Sequence, residues 1–360
     1  MKEFFNRNKK LHIWLAVLLV LLLAFLIGRN SRPAMNFLVE RVTQPLKDAV
    51  GAVCYLVPFP VIEILYIAAG LWVVVYIVAS AVKIRRSRGS RRTVAYRRFL
   101  VFLCVLLTVA DWLCLSWGIN YYADSFQDKS GIVAEEVSVE ELRRLTAYFT
   151  EGLNAASEAI PRDENGLFAV SREEIFADST EIYSCIYDEF PFLERKDRVP
   201  KGMFFSKVLS AMGFTGFYSG FTGESVLNVD SPEAFLPSTI VHELAHQRGI
   251  ASEQECNFVA IVTSTQSGNA AYVYSGYLLG YIHLSNALYR ADTDSWRELR
   301  AQLKEEVLLD IQYNNAYWEQ WESPVDAVSQ KVYDTMLKGY GQEDGVQSYG
   351  TVVDLLAAYY

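Results

Sequence analysis

The chain has few cysteines, few histidines and, over its first third, few acidic residues. Five cysteines in 360 residues exclude a disulfide-built scaffold. Cys54, Cys104 and Cys114 fall in or beside apolar runs, so Cys185 and Cys256 allow a single bridge at most in the remainder. With four histidines in all, an imidazole-based metal site has a small set to draw on. Up to Asn120 there are 16 Lys+Arg against 5 Asp+Glu, and from Tyr121 onward 17 against 37. The acidic remainder would repel phosphates, which argues against nucleic acid as a partner. No fixed period recurs, so a repeat array is excluded as well.

Long apolar runs are what the first third does contain. LHIWLAVLLVLLLAFLIG, PVIEILYIAAGLWVVVYIVASAV and FLVFLCVLLTVADWLCLSWGI predict membrane spans over residues 11–28, 60–82 and 99–119, within a transmembrane region of residues 1–120. The first follows Lys2, Arg7, Lys9 and Lys10, as a signal peptide would, but its length and the basic IGRNSRPAM after it favour a retained anchor. Between spans two and three, KIRRSRGSRRTVAYRR has eight basic residues and no acidic one. The positive-inside rule then predicts a multi-pass protein of the cytoplasmic membrane, with its N-terminus in the cytoplasm and everything after Ile119 outside. A patch for anionic lipid is the other reading of that loop. Asp111, alone in the third span, reads as a buried hydrogen-bonding partner rather than a proton relay. VGAVCYLVPFP, broken by Pro58 and Pro60, reads as interfacial or re-entrant.

Residues 121–137 read as a polar linker, and residues 138–360 as a mainly helical α+β domain with a small sheet. Ser138 and Glu141, then Ser171 and Glu174, have capping-box spacing ahead of LRRLTAYFTEGL and IFADSTEIYSCIYDEF. SWRELRAQLKEEVLLDIQYNNAYWEQW and SYGTVVDLLAAYY also read as helical. Residues 213–230, rich in glycine and aromatics, predict short strands joined by turns. Residues 269–289 contain Asn269, Ser275, His283, Ser285 and Asn286, which favours a buried core helix over a fourth span.

The chemistry concentrates in TIVHELAHQRGIASEQECNFVA, residues 239–260. On a helix, His242 and His246 share a face and can bind one metal ion, while Glu243 reaches a water beside it. Gly249 can stop that helix in a left-handed conformation, and Ser252 can cap a second one. Glu253 then enters the first turn as the favoured third ligand, with Glu255, on a different face, as its rival. Asn257, one turn after Glu253, can hydrogen-bond a ligand.

With HELAH followed by ASEQECN, the sequence resembles the zincin metallopeptidases, specifically in a gluzincin-like form. It is similar more narrowly to a bacterial membrane family designated domain of unknown function 3810, through FTGESVLNVD, LPSTIVHELAHQRGIASEQECNF, PFPVIEILY, WGINYY and VYDTMLKGYGQEDGVQSYGTVVDLL. The resemblance implies a zincin-like domain with Zn2+ held by His242, His246 and the leading glutamate of E-x-E-C-N, Glu253. It also implies that Glu243 is the general base. Glutamate zincins place a longer insertion before that glutamate. The spacing here is nearer H-E-x-x-H-x-x-G-x-x-H, whose last position is Ser252, a poor ligand. The resemblance further implies an edge strand at Phe221, Thr222, Gly223 and Glu224 for an extended substrate. His283 and Tyr277 are candidate donors to a substrate oxyanion.

The expected function is therefore a membrane-anchored zinc metallopeptidase acting on a peptide or protein substrate outside the bilayer. The alternatives are a non-catalytic sensor or scaffold with a structural metal and an intramembrane metalloprotease. The second would need the motif within an apolar span, whereas Gln247, Arg248, Glu253 and Glu255 follow it at once.

Overall fold

The computed structural model describes residues 8–340 and 349–360. They divide into two units, Met1–Ala123 with Gly220–Gly223, and Asp124–Ser219 with Glu224–Tyr360.

In the first unit, α1 (Lys9–Gly28) leads to α2 (Arg32–Leu38), a π-helical turn over Val39–Thr43, α3 (Gln44–Cys54), α4 (Val61–Arg86) and α5 (Arg91–Ser116). Helices α1, α4 and α5, of 20, 26 and 26 residues, are long and apolar enough to cross a membrane. Their outward side chains remain apolar, with Val20 65% and Val75 63% exposed, as a lipid environment requires. Leu18, Leu100 and Cys104 pack α1 against α5, beside a 2.9 Å contact between His12 Nε2 and the Tyr96 hydroxyl. Helix bounds differ from the expected spans at the polar ends. Helix α4 continues through Arg86 and α5 starts at Arg91, so most of the basic stretch is helical and only residues 87–90 turn. Arginine is a good helix former, and its charge does not interrupt backbone hydrogen bonding. Residues 118–122, part of which was assigned to the third span, form a 3-10 turn. The Asp111 carboxylate meets no hydrogen-bond donor among the described residues, contrary to the structural role expected of it.

The second unit is mainly helical around one apolar core. The expected linker is partly structured: α6 (Phe126–Ser130) lies within it, closed by a reciprocal capping box between Ser125 and Asp128. Next comes α7 (Val139–Ser157), whose cap Ser138 accepts from the Glu141 amide. Helix α8 (Arg172–Asp178) is capped by Ser171 but ends early, before Ser179, Thr180 and Glu181, and a 3-10 turn at Ile182–Ile186 follows. A three-stranded mixed sheet comes next, with β1 (Lys201–Gly202) preceding α9 (Ser206–Ala211), β2 (Gly216–Tyr218) and β3 (Ser225–Leu227). The order is β1-β3-β2, with β1 parallel and β2 antiparallel to β3. Strand β1 lies outside the segment in which strands were expected.

Helices α10 (Leu236–Gln247), α11 (Glu253–Gln266) and α12 (Ala270–Ala291) follow. Helix α12 is the expected core helix, capped by Asn269, with Tyr272, Tyr274, Leu278 and Tyr281 buried. It crosses α7 closely at Gly280, where a β-carbon would lie 2.2 Å from the Phe149 ring. Helices α13 (Thr293–Arg300), α14 (Glu305–Glu319), α15 (Pro324–Gly339) and α16 (Tyr349–Tyr359) complete the unit. No two of the five cysteines are bridged.

Candidate metal centre

Helix α10 is held by its apolar face. Ile240, Val241, Leu244 and Ala245 are fully buried, which fixes the opposite side of the helix toward the site. Polar pins set its height: Ser225 Oγ of β3 donates to the Glu243 carbonyl at 3.0 Å, Gln247 Nε2 donates to Ser225 Oγ at 2.9 Å, and the Tyr183 hydroxyl donates to the Val241 carbonyl at 2.8 Å. Arg248 closes the end of the helix by pairing with Asp197 at 2.6 Å and lying over the Tyr183 ring at 3.4 Å. Both partners of that pair are buried, so its loss would leave an uncompensated charge.

Reversal of the chain depends on Gly249, whose φ of +89° is a conformation open to glycine. Ser252 then caps α11 by accepting from the Glu255 amide at 3.4 Å. The turn brings the first residue of α11 back over α10. Glu253 Oε2 lies 3.1 Å from His242 Nε2, and Glu253 Oε1 lies 3.4 Å from His246 Nε2. The other nitrogen of each ring faces an acceptor. His242 Nδ1 is 2.9 Å from Asn257 Oδ1, and His246 Nδ1 is 2.8 Å from the Ile250 carbonyl.

The Ile250 carbonyl can only accept, so His246 Nδ1 donates to it and leaves Nε2 as the ring atom that faces Glu253; His242 presents Nε2 to the same carboxylate. Two imidazole nitrogens and the two oxygens of one carboxylate therefore converge. Burial acts to raise the Glu253 pKa, but the nearby His246 and His242 rings outweigh it and hold the carboxyl well below its usual range. Two imidazole nitrogens and one carboxylate oxygen form a donor set that suits zinc.

A second grouping overlaps this one, since His242, His246 and Cys256 offer ligand atoms within 4.8 Å of one another. The Cys256 sulfur, however, lies 3.3 Å from His246 Nδ1, the nitrogen committed to Ile250, and not beside Nε2. Burial also pushes the thiol pKa well above its usual value, and metals bind the thiolate. The Glu253 carboxylate, unlike that sulfur, lies beside the Nε2 atoms of both rings.

Glu243 lies beside these groups, 3% exposed, and its Oε2 meets no hydrogen-bond partner among the described residues. Burial first, then the charge of Glu253, push its pKa up to about 8 against the opposing effect of His242. Burial, aided by the His242 ring, brings His283 down to about 4, so that imidazole is neutral at pH 7.

Other expected residues lie elsewhere. Glu255 accepts from the Phe126 amide at 3.0 Å and the Gln127 amide at 3.1 Å, so it terminates α6 instead of reaching the histidines. Tyr277 belongs to an aromatic cluster with Tyr148 and Phe149, on the side of α12 that packs against α7. Phe221, Thr222 and Gly223 form a turn within the first unit, and Glu224 is fully buried in a 2.7 Å ion pair with Lys201. The strand that follows, β3, is central and hydrogen-bonded on both sides, so it is no edge for a substrate. The outer strand next to Glu243 is β2, where a β-carbon on Gly216 would lie 3.1 Å from Glu243 Oε1. Tyr333 was not anticipated: its hydroxyl donates to Glu253 Oε1 from α15, 80 residues downstream. The one signal was indirect, since VYDTMLKGYGQEDG lies in a stretch that carries the family resemblance.

The described residues thus comprise three apolar helices of membrane-crossing length and a helical domain that presents a His-His-Glu cluster. The chain belongs to the family described as protein of unknown function (DUF3810), which matches residues 39–357. No curated protein and no solved structure matches the chain.

Proposed function

We propose that the protein is a membrane-anchored zinc metallopeptidase with a zincin-like catalytic domain that hydrolyses peptide bonds outside the cytoplasmic membrane. One observation carries the reading: His242 Nε2, His246 Nε2 and the Glu253 carboxylate converge beside a buried, unpartnered Glu243 oxygen. Zinc held by those three residues would supply a Lewis acid that polarises a peptide carbonyl and acidifies water. Glu243, poised near neutral pH, takes a proton from the attacking water and delivers it to the leaving amine as the C–N bond breaks. Asn257 and the Ile250 carbonyl keep both imidazoles in the tautomer that presents Nε2. Neutral His283 is the remaining candidate from the sequence for donation to the oxyanion. An extended substrate would add to β2, the outer strand adjoining Glu243. The outward orientation rests on the basic residues between α4 and α5. Intramembrane proteolysis is disfavoured because α10 is not among the three apolar helices.

The test uses the detergent-solubilised full chain, wild type and Glu243→Gln, with metal analysis and a peptide library. Both should contain zinc, and only the wild type should cleave. Zinc in both with no cleavage by either would favour a structural metal in a scaffold, and no zinc in the wild type would overturn the metal site.

A further inference from the structure

Each of the three groups that face one another in the metal centre is held by a contact from outside the set. His242 and His246 are each pinned through Nδ1, by Asn257 and by the Ile250 carbonyl. Glu253 sits at the start of its helix and faces the two Nε2 atoms. The hydroxyl that donates to it comes from Tyr333 on α15.

Helix α15 is built to hold that hydroxyl in place. Ser323 caps it by accepting from the Asp326 amide at 3.3 Å. Gln330 Nε2 donates to the Met212 carbonyl at 3.3 Å and the Gly213 carbonyl at 3.2 Å, both in the turn that precedes β2. Gly213 has φ of +75°, and a β-carbon there would lie 2.3 Å from Asp326 Oδ1, so the helix and the turn meet without room for a side chain. The Tyr333 ring stands edge-on to Phe214, with centroids 5.5 Å apart and planes at 87°. Gln330 and Tyr333 are three residues apart and share a helix face. The helix therefore docks on the turn leading into β2, the strand that passes Glu243, and from there presents the phenol to Glu253.

We propose that Tyr333 is a positioning residue, whose hydroxyl orders the Glu253 carboxylate for metal binding from a helix anchored to the β2 turn. The proposal rests on the zinc reading above. It assigns to α15, which supplies no ligand, the task of completing the ligand set, because a carboxylate already fixed loses less freedom when the metal arrives.

The test measures zinc affinity of the full chain in detergent by competition with a chromophoric chelator, together with the melting temperature of the metal-free protein. Tyr333→Phe keeps the ring against Phe214 and removes only the hydroxyl. It should weaken zinc binding about 10-fold, at the lower end of the range for groups that orient ligands, and alter the visible spectrum of the cobalt-loaded protein. Gln330→Ala should weaken binding less, and should add little when combined with Tyr333→Phe, because both act through one hydroxyl. Val332→Ala, on the exposed side of the same helix, should leave affinity unchanged. Wild-type affinity and cobalt spectrum in Tyr333→Phe would overturn the proposal and leave the zinc reading intact. Absence of zinc binding by the wild type would overturn both.

Discussion

The first turn of α11 carries two glutamates, two residues apart, that face different parts of the second unit. Glu253 faces His242 and His246, where its charge is favoured and its pKa is held well below the usual range. Glu255 faces the N-terminus of α6, where it accepts two backbone amides, yet burial still raises its pKa. Both are acidic residues in a first helical turn, where negative charge is generally favourable. What separates them is the helix face they occupy: one meets side chains that can share a cation, and the other meets backbone donors left open at a helix start.

The largest effect that tests this difference is on metal affinity. Glu253→Gln should weaken zinc binding by more than about 100-fold, beyond the usual effect of a group that only orients a ligand. Glu255→Gln should leave zinc affinity near wild type, while loss of the charged acceptor destabilises the fold by about 2 kcal/mol. Chelator competition and denaturant unfolding of the same preparations separate the two outcomes. If both variants lose zinc equally, the two faces are not distinct in function.

A smaller effect should appear one turn along α11. Asn257 is on the Glu253 side and fixes His242 through Nδ1. Asn257→Ala should weaken zinc affinity about 10-fold without the unfolding penalty of Glu255→Gln. An affinity equal to wild type would mean that the His242 tautomer is set in another way.

The sequence made one side of this contrast easy to read. The spacing of His242 and His246, the stop at Gly249 and the cap at Ser252 are local features, and local geometry was enough to favour Glu253 over Glu255. The three apolar helices and the core helix α12 were legible for a similar reason, since length and hydropathy are properties of a single segment. Contacts between distant segments were not legible. Nothing near Glu255 indicated that α6, well over a hundred residues earlier, would supply its donors. Nothing near Glu253 indicated Tyr333. Tyr277, a candidate oxyanion donor in the sequence, packs with aromatics of α7, and periodicity does not say which helix a face will meet. The expected edge strand failed likewise, because β1 comes from outside the glycine-rich segment and turns β3 into a central strand.

The last predicted effect is on stability against pH, and it has opposite signs for the two kinds of carboxyl. Glu253 has a lowered pKa in the folded protein, so its contribution is present above the ordinary glutamate value of 4.5 and is lost as the pH falls through its folded value. Glu243 has a raised pKa of about 8, so between pH 4.5 and 8 the unfolded chain releases a proton that the folded chain retains. Its contribution is fully present below 4.5 and falls away as the pH rises through that window. In metal-free protein, Glu243→Gln should therefore melt progressively higher than wild type between pH 5 and pH 8, with the largest difference at the upper end. Glu253→Gln should melt below wild type at pH 7 and approach it only as the pH falls below 4.5 toward the folded value of Glu253. Parallel melting curves for wild type and Glu243→Gln across that range would show that Glu243 is ionised throughout, which would remove the basis for a base poised near neutral pH.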